Sequence, residues 1–384
     1  MSIENVKSIL SDLIAFPTVS SESNLALIEY TGAVLERAGA RVSIMKSDCQ
    51  TKANLFATLG PERDGGIVLS GHSDVVPVEG QDWSLEPFQM TERDGRLYGR
   101  GTCDMKGFIA CCLSFAGDLN AANLTRPLHF AFTYDEEVGC FGAKALVKDL
   151  SDRGIRPSVA IIGEPTMMRV IEGHKGCYEY TTHFHGLEGH GSQPERGVNA
   201  IEYAVRYIAR LMELGKALKS RVQEESRFDP PWSTVQVGRI YGGAGRNIIA
   251  GNCCVEWEMR PVCKSDAELV KSDIREYADE VLVPAMRELY PDASIVTETI
   301  GEVEGLSVAT ESEARDIAFE LTGANGADVV AFGTEAGLFQ EFGMSAVICG
   351  PGSIEQAHKT DEFLSVEQLN ACIKMLTGLR TKLL

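Results

Sequence analysis

Imidazole and carboxylate side chains recur in this sequence where short apolar runs end. The run at 67–71 leads into Gly71-His72-Ser73-Asp74. A glycine-bounded loop, Gly99-Arg100-Gly101-Thr102-Cys103-Asp104-Met105-Lys106-Gly107, carries Asp104. The run at 128–134 ends in Asp135-Glu136-Glu137, the run at 159–163 in Glu164-Pro165, and Cys349-Gly350-Pro351-Gly352 is followed by His358. Mixed nitrogen and oxygen donors of this kind suit a divalent cation such as zinc, cobalt or manganese. Each piece also has an ordinary reading: a structural histidine at 72, a helix cap at Asp104, a solvated helix start at Glu136 and Glu137, a turn residue at Glu164. Their recurrence at successive run ends favours a shared metal site.

A second set lies mid-chain. His183, His185 and His190 fall in Thr182-His183-Phe184-His185-Gly186-Leu187-Glu188-Gly189-His190-Gly191-Ser192, a histidine-rich strand and turn. Asn247 stands in a glycine-rich segment, and Arg260 follows an alternating run; an amide and a guanidinium can both donate to a carboxylate. A turn asparagine and a surface arginine are the plainer alternatives. The eleven cysteines form no Cys-x-x-Cys pair. Neither a thiolate zinc site nor disulfides are therefore expected; free thiols in a reducing cytoplasm are.

The elements that must hold these residues come in two rhythms. Helical periodicity at 6–16 and 25–38 precedes apolar runs at 41–45, 54–59 and 67–71. Helical and strand patterns then alternate through 106–119, 128–134, 142–150 and 159–163. The alternation returns at 313–322, 327–332, 334–342, 345–349 and 365–383. Apolar strands separated by helices predict an α/β domain with a largely parallel sheet covered by helices. In such sheets ligands gather beyond the carboxyl ends of the strands. Between these parts the order is β-α-β-β-α-β over 178–184, 199–218, 233–241, 253–261, 266–289 and 294–300, a plan of small two-layer α+β domains. The expected organisation is a discontinuous catalytic domain, 1–177 and 301–384, with an inserted domain at 178–300.

Composition narrows the function further. Against 55 acidic residues stand 36 Lys and Arg, a net charge of −19, so nucleic acid and anionic membranes are poor partners. No run approaches the ~18 apolar residues of a membrane span. The opening Met1-Ser2-Ile3-Glu4-Asn5-Val6-Lys7 lacks the layout of a signal peptide, and a cytoplasmic location is expected.

At the residues quoted, the chain resembles the dinuclear metallo-aminoacylase and carboxypeptidase family, the M20 peptidases, over essentially its whole length. The segments that carry the likeness are 70–77, 99–107 and 135–139. Segments 333–336 and 350–362 are most similar to the branch that deacetylates N2-acetyl-L-ornithine. The resemblance implies two divalent cations, zinc first and cobalt as the alternative, bridged by Asp104. His72 and Glu164 would complete one ion's ligands, Glu137 and His358 the other's. It implies that the Asp74 carboxylate holds the His72 ring, that Glu136 is the general base toward a shared water, and that a cis peptide follows Asp104. His190 would approach the scissile carbonyl, and Asn247 and Arg260 would hold the substrate carboxylate, although Ala250 stands where the family pattern often has proline. Glu335 is a candidate for the substrate's distal ammonium. The implied reaction releases acetate and L-ornithine in arginine biosynthesis. Rivals are a desuccinylase, another deacylase or a carboxypeptidase; Gly333-Thr334-Glu335-Ala336 argues against the desuccinylase. A non-catalytic binder of amino-acid derivatives is more remote, since it needs no base at Glu136. A homodimer through the inserted domain is implied, with His190 entering the neighbouring site.

Overall fold

The computed structural model describes residues 1–384, which form two compact units. The first comprises Met1–Gly173, Val308–Val329 and Thr334–Leu384; the second, His174–Ser307 and Val330–Gly333. The second unit is thus longer than the 178–300 segment expected from the pattern, because the turns around 174–176 and 305–307 bond to one another, as in His174 N–H to Leu306 C=O.

The first unit is α/β, as its periodicity predicts. Its eight-stranded sheet runs in the order Arg41–Lys46, Ala53–Leu59, Leu128–Thr133, Ile67–His72, Val159–Pro165, Ser345–Gly350, Ile171–His174, Asp328–Val330. Leu128–Thr133, Ile67–His72, Val159–Pro165 and Ser345–Gly350 are mutually parallel; Arg41–Lys46 and Ala53–Leu59 form an antiparallel margin. Every residue of Ile67–His72, Leu128–Thr133 and Val159–Pro165 is buried, so these strands are largely apolar rather than alternating. The helix Gly107–Gly117 is apolar all round and correspondingly enclosed, packed against Ile3–Ile14, Leu25–Arg37 and Val366–Leu379. Gly163 allows its close approach to the sheet: a Cβ there would lie 2.0 Å from the Phe108 ring.

The second unit is a four-stranded antiparallel sheet in the order Thr234–Gly242, Asn252–Arg260, Cys177–His185, Ser294–Val303. The helices Ala200–Leu218 and Lys264–Tyr277 close one face over Tyr178, Tyr180, Phe184, Val255 and Trp257. The periodic strands and helices expected there are all present. A short ribbon pairing Gly189–His190 with Ile248–Ile249 is added.

Candidate metal centre

The parallel strands of the first unit deliver their carboxyl ends to one edge of the sheet. His72 is the last residue of its strand, Glu136 and Glu137 follow Leu128–Thr133 in a tight turn, and Glu164 lies near the end of Val159–Pro165. Asp104 sits in the turn that opens the Gly107–Gly117 helix, entered through Gly101 at φ 84°, and the Asp104–Met105 peptide is cis. His358 comes from the loop after Ser345–Gly350.

Those side chains meet. His72 Nε2 lies 3.0 Å from Asp104 Oδ1 and 3.8 Å from Glu164 Oε1. His358 Nε2 lies 3.0 Å from Glu137 Oε2 and 3.6 Å from Asp104 Oδ2. The two oxygens of Asp104 therefore face different imidazoles. One candidate ligand atom from each of His72, Asp104 and Glu137 falls within a mutual 4.8 Å, and the same holds for His72, Glu136 and Glu164. Glu136, expected as a base rather than a ligand, thus stands among the donors.

Burial dominates the electrostatics. It pushes the carboxyls of Glu136 and Glu164 well above the usual carboxylate range, and Glu137 up as well, with the Asp104 charge adding to each. Burial would also raise Asp104, but the adjacent His358 and His72 imidazoles outweigh it and hold that carboxyl below its ordinary value. The Asp104 and Glu137 carboxylates beside it lift the His358 imidazole to about 10. Burial opposes the charged form of His72, yet the Asp104 hydrogen bond and the carboxylates around it raise that ring well above 6.5. Four acidic groups thus share two imidazoles, and Glu164 Oε1 is buried with no hydrogen-bond partner. Excess carboxylate and an orphaned oxygen are what a divalent cation satisfies, so the donor set fits a metal.

The surroundings differ from the sequence expectation at two residues. His72 Nδ1 bonds the main-chain carbonyl of Asp74 at 2.9 Å, while the Asp74 carboxylate lies 3.7 Å away. That carboxylate instead accepts Ser20 Oγ–H at 2.7 Å and the backbone N–H of Glu136 at 3.1 Å and of Glu137 at 3.4 Å. It therefore holds the turn bearing both glutamates. Glu335 is buried, and its oxygens accept the Ser70 hydroxyl at 2.5 Å and the Thr133 hydroxyl at 2.8 Å. Glu335, the candidate for the substrate's distal ammonium, thus has both oxygens engaged between two strands. Ser20 and Lys52, which bonds Asp135 at 2.5 Å, were not singled out by the sequence. Each lies far along the chain from its partner, and neither stands in a motif.

The remaining candidates belong to the second unit. His190 is exposed, with Nδ1 2.8 Å from Ser192 Oγ, and Gly191 N–H donates to the carbonyl of exposed Asn247 at 2.8 Å. Arg260 is half-buried, its Nη2 donating to Glu258 at 2.7 Å.

A family model described as Peptidase family M20/M25/M40 matches residues 68–381. The chain belongs to this family. As an M20 member it is a hydrolytic enzyme that acts on amide bonds. It is 37% identical over 380 residues to an acetylornithine deacetylase of Myxococcus xanthus, covering 97% of this chain and 95% of that one. An acetylornithine deacetylase of Photorhabdus laumondii subsp. laumondii is 35% identical over 374 residues, covering 96% and 94%. Among solved structures, a tripeptidase from Staphylococcus aureus subsp. aureus Mu50 superposes with a TM-score of 0.75 at 20% identity, covering 99% and 98%. The M20 fold of this chain is thus shared with peptidases of low sequence similarity.

Proposed function

We propose that this M20 enzyme hydrolyses the acetamide of N2-acetyl-L-ornithine, giving acetate and L-ornithine. The observation that carries the reading is the full-length similarity to two acetylornithine deacetylases. His72, Glu164 and Asp104 would hold one divalent cation, and Asp104, Glu137 and His358 a second, zinc in first place. Bound there, the cations supply Lewis acidity toward the scissile carbonyl and ease deprotonation of the attacking water.

The protein's own part is proton handling and placement. Glu136 takes a proton from water on its carboxylate as the new C–O bond forms, and returns it to the departing nitrogen as the C–N bond breaks. Asp74, by gripping the backbone of residues 136 and 137, keeps base and ligand in register. In the second unit His190 is assigned to the oxyanion, and Asn247 and Arg260 to the substrate carboxylate. The dimer is proposed to form through this unit.

A side-by-side assay tests the reading. N2-acetylornithine, N-acetylcitrulline, N-acetylmethionine and N-succinyl-diaminopimelate are supplied to the zinc-loaded enzyme, and kcat/KM is compared. Acetylornithine is expected to lead; a higher value for the succinyl substrate would overturn the assignment.

A further inference from the structure

Glu362 follows His358 by four residues and is almost wholly buried, 1% exposed. Its Oε1 accepts the backbone N–H of Cys103 at 2.8 Å and of Asp104 at 3.1 Å. Its Oε2 accepts the backbone N–H of Gly101 at 3.0 Å and Arg100 Nη1 at 2.7 Å. Three amides of one short loop therefore converge on a single internal carboxylate, as they would on a bound anion. Arg100, itself buried, donates Nη2 to Gln81 Oε1 at 2.7 Å. Gln81 in turn donates Nε2 to the main-chain carbonyl of His358 at 2.9 Å. The hydrogen bonds form a chain from the Asp104 N–H through Glu362, Arg100 and Gln81 to the His358 carbonyl.

That chain joins two residues separated by most of the sequence. His72 and Glu164 sit on strands of the large sheet, whose ladder fixes them. His358 has no such support: it lies in a loop, at φ 64°, with its side chain 54% exposed. Asp104 is likewise in a turn with non-helical backbone angles. We infer that Glu362, with Arg100 and Gln81, is a positioning device that fixes His358 against Asp104 and thereby sets the affinity of the cation between Asp104, Glu137 and His358. The inference rests on the proposed metal site.

The charge and the paired acceptors both matter. Glu362→Gln keeps the volume but offers one acceptor oxygen, and its NH2 would face N–H donors. Backbone hydrogen bonds of the loop are then lost without removal of any proposed ligand. Supporting groups of this kind change metal affinity about 10–100-fold. Gln81→Ala cuts the circuit at its other end, without removing a buried charge.

The test is stepwise zinc binding to chelator-stripped protein, followed by competition with a chromophoric chelator, with apo-protein melting recorded alongside. Wild type is expected to take up two equivalents. In Glu362→Gln the binding step that His358→Ala weakens should fall about tenfold or more, while the other stays within about threefold. Gln81→Ala should weaken the same step less, with its melting temperature within about 2 °C of wild type. Two unchanged steps in both variants would overturn the inference. Equal weakening of both steps with a collapsed melting temperature would also overturn it, by making Glu362 a general anchor. Should Glu362→Gln not fold, Gln81→Ala decides alone. Wild type taking up no zinc would instead sink the metal-site reading on which the inference rests.

Discussion

Glu136 and Glu137 are adjacent in sequence but proposed for different work, and substitution separates the two roles. Glu136→Gln is expected to lower kcat about 10²–10⁴-fold, with zinc content measured by atomic absorption near wild type. Joint loss of zinc and turnover would mean that Glu136 is a ligand, as its place in a donor set allows. A second test concerns His129, 4% exposed, stacked on Phe56 at 5.0 Å and 2.9 Å from Thr58 Oγ1. Burial, helped by the Arg41 charge, lowers its imidazole from 6.5 to about 4. The folded chain therefore stays neutral at this ring where the unfolded chain takes up a proton. Its contribution to stability is complete above pH 6.5 and is lost as pH falls towards 4. A shift of that size corresponds to about 3 kcal/mol. His129→Gln should flatten the melting temperature between those limits relative to wild type; an equal slope in both would count against it. The residues of the centre were legible because imidazoles and carboxylates at strand ends stand out from apolar neighbours. The hydrogen-bond partners of the Asp74 carboxylate and of Glu335 were not legible, because the sequence does not say whether a carboxylate meets a ring, a backbone amide or a hydroxyl.

Strands that are largely apolar, and a helix apolar all round, announce burial on both faces, which is why the α/β layer was readable. The elements that escaped reading are short. Thr91–Arg93, Arg96–Tyr98 and Phe363–Ser365 form a three-stranded sheet of three-residue strands, too brief to display a period. The limits of the second unit also escaped, since they depend on bonds between distant turns such as Gly176 N–H to Pro261 C=O. Tight helix-to-sheet packing gives the prediction at this scale. Gly163→Ala would set a Cβ 2.0 Å from the Phe108 ring, and overpacking of this kind costs about 1–3 kcal/mol. The urea midpoint should fall accordingly; an unchanged midpoint would show that Phe108 yields without cost.

Across the whole molecule, no helix is long and apolar enough to cross a membrane, and the net charge of −19 opposes phosphate-rich partners. The strand Ser294–Val303 ends the sheet of the second unit and leaves Val296 53% and Ile300 42% exposed. Unpaired edges of this kind invite pairing with a symmetry-related copy. Light scattering should give a mass about twice that of the chain, and Val296→Lys should lower it. A wild-type mass of one chain would remove the dimer. The central claim is that the buried carboxylates and imidazoles work by holding metal. Acetate released from N2-acetylornithine is therefore measured as zinc is added back to chelator-stripped enzyme. Activity should be negligible without metal and should saturate near two equivalents per chain. Full turnover in the stripped enzyme, or zinc uptake that restores none, would contradict the account.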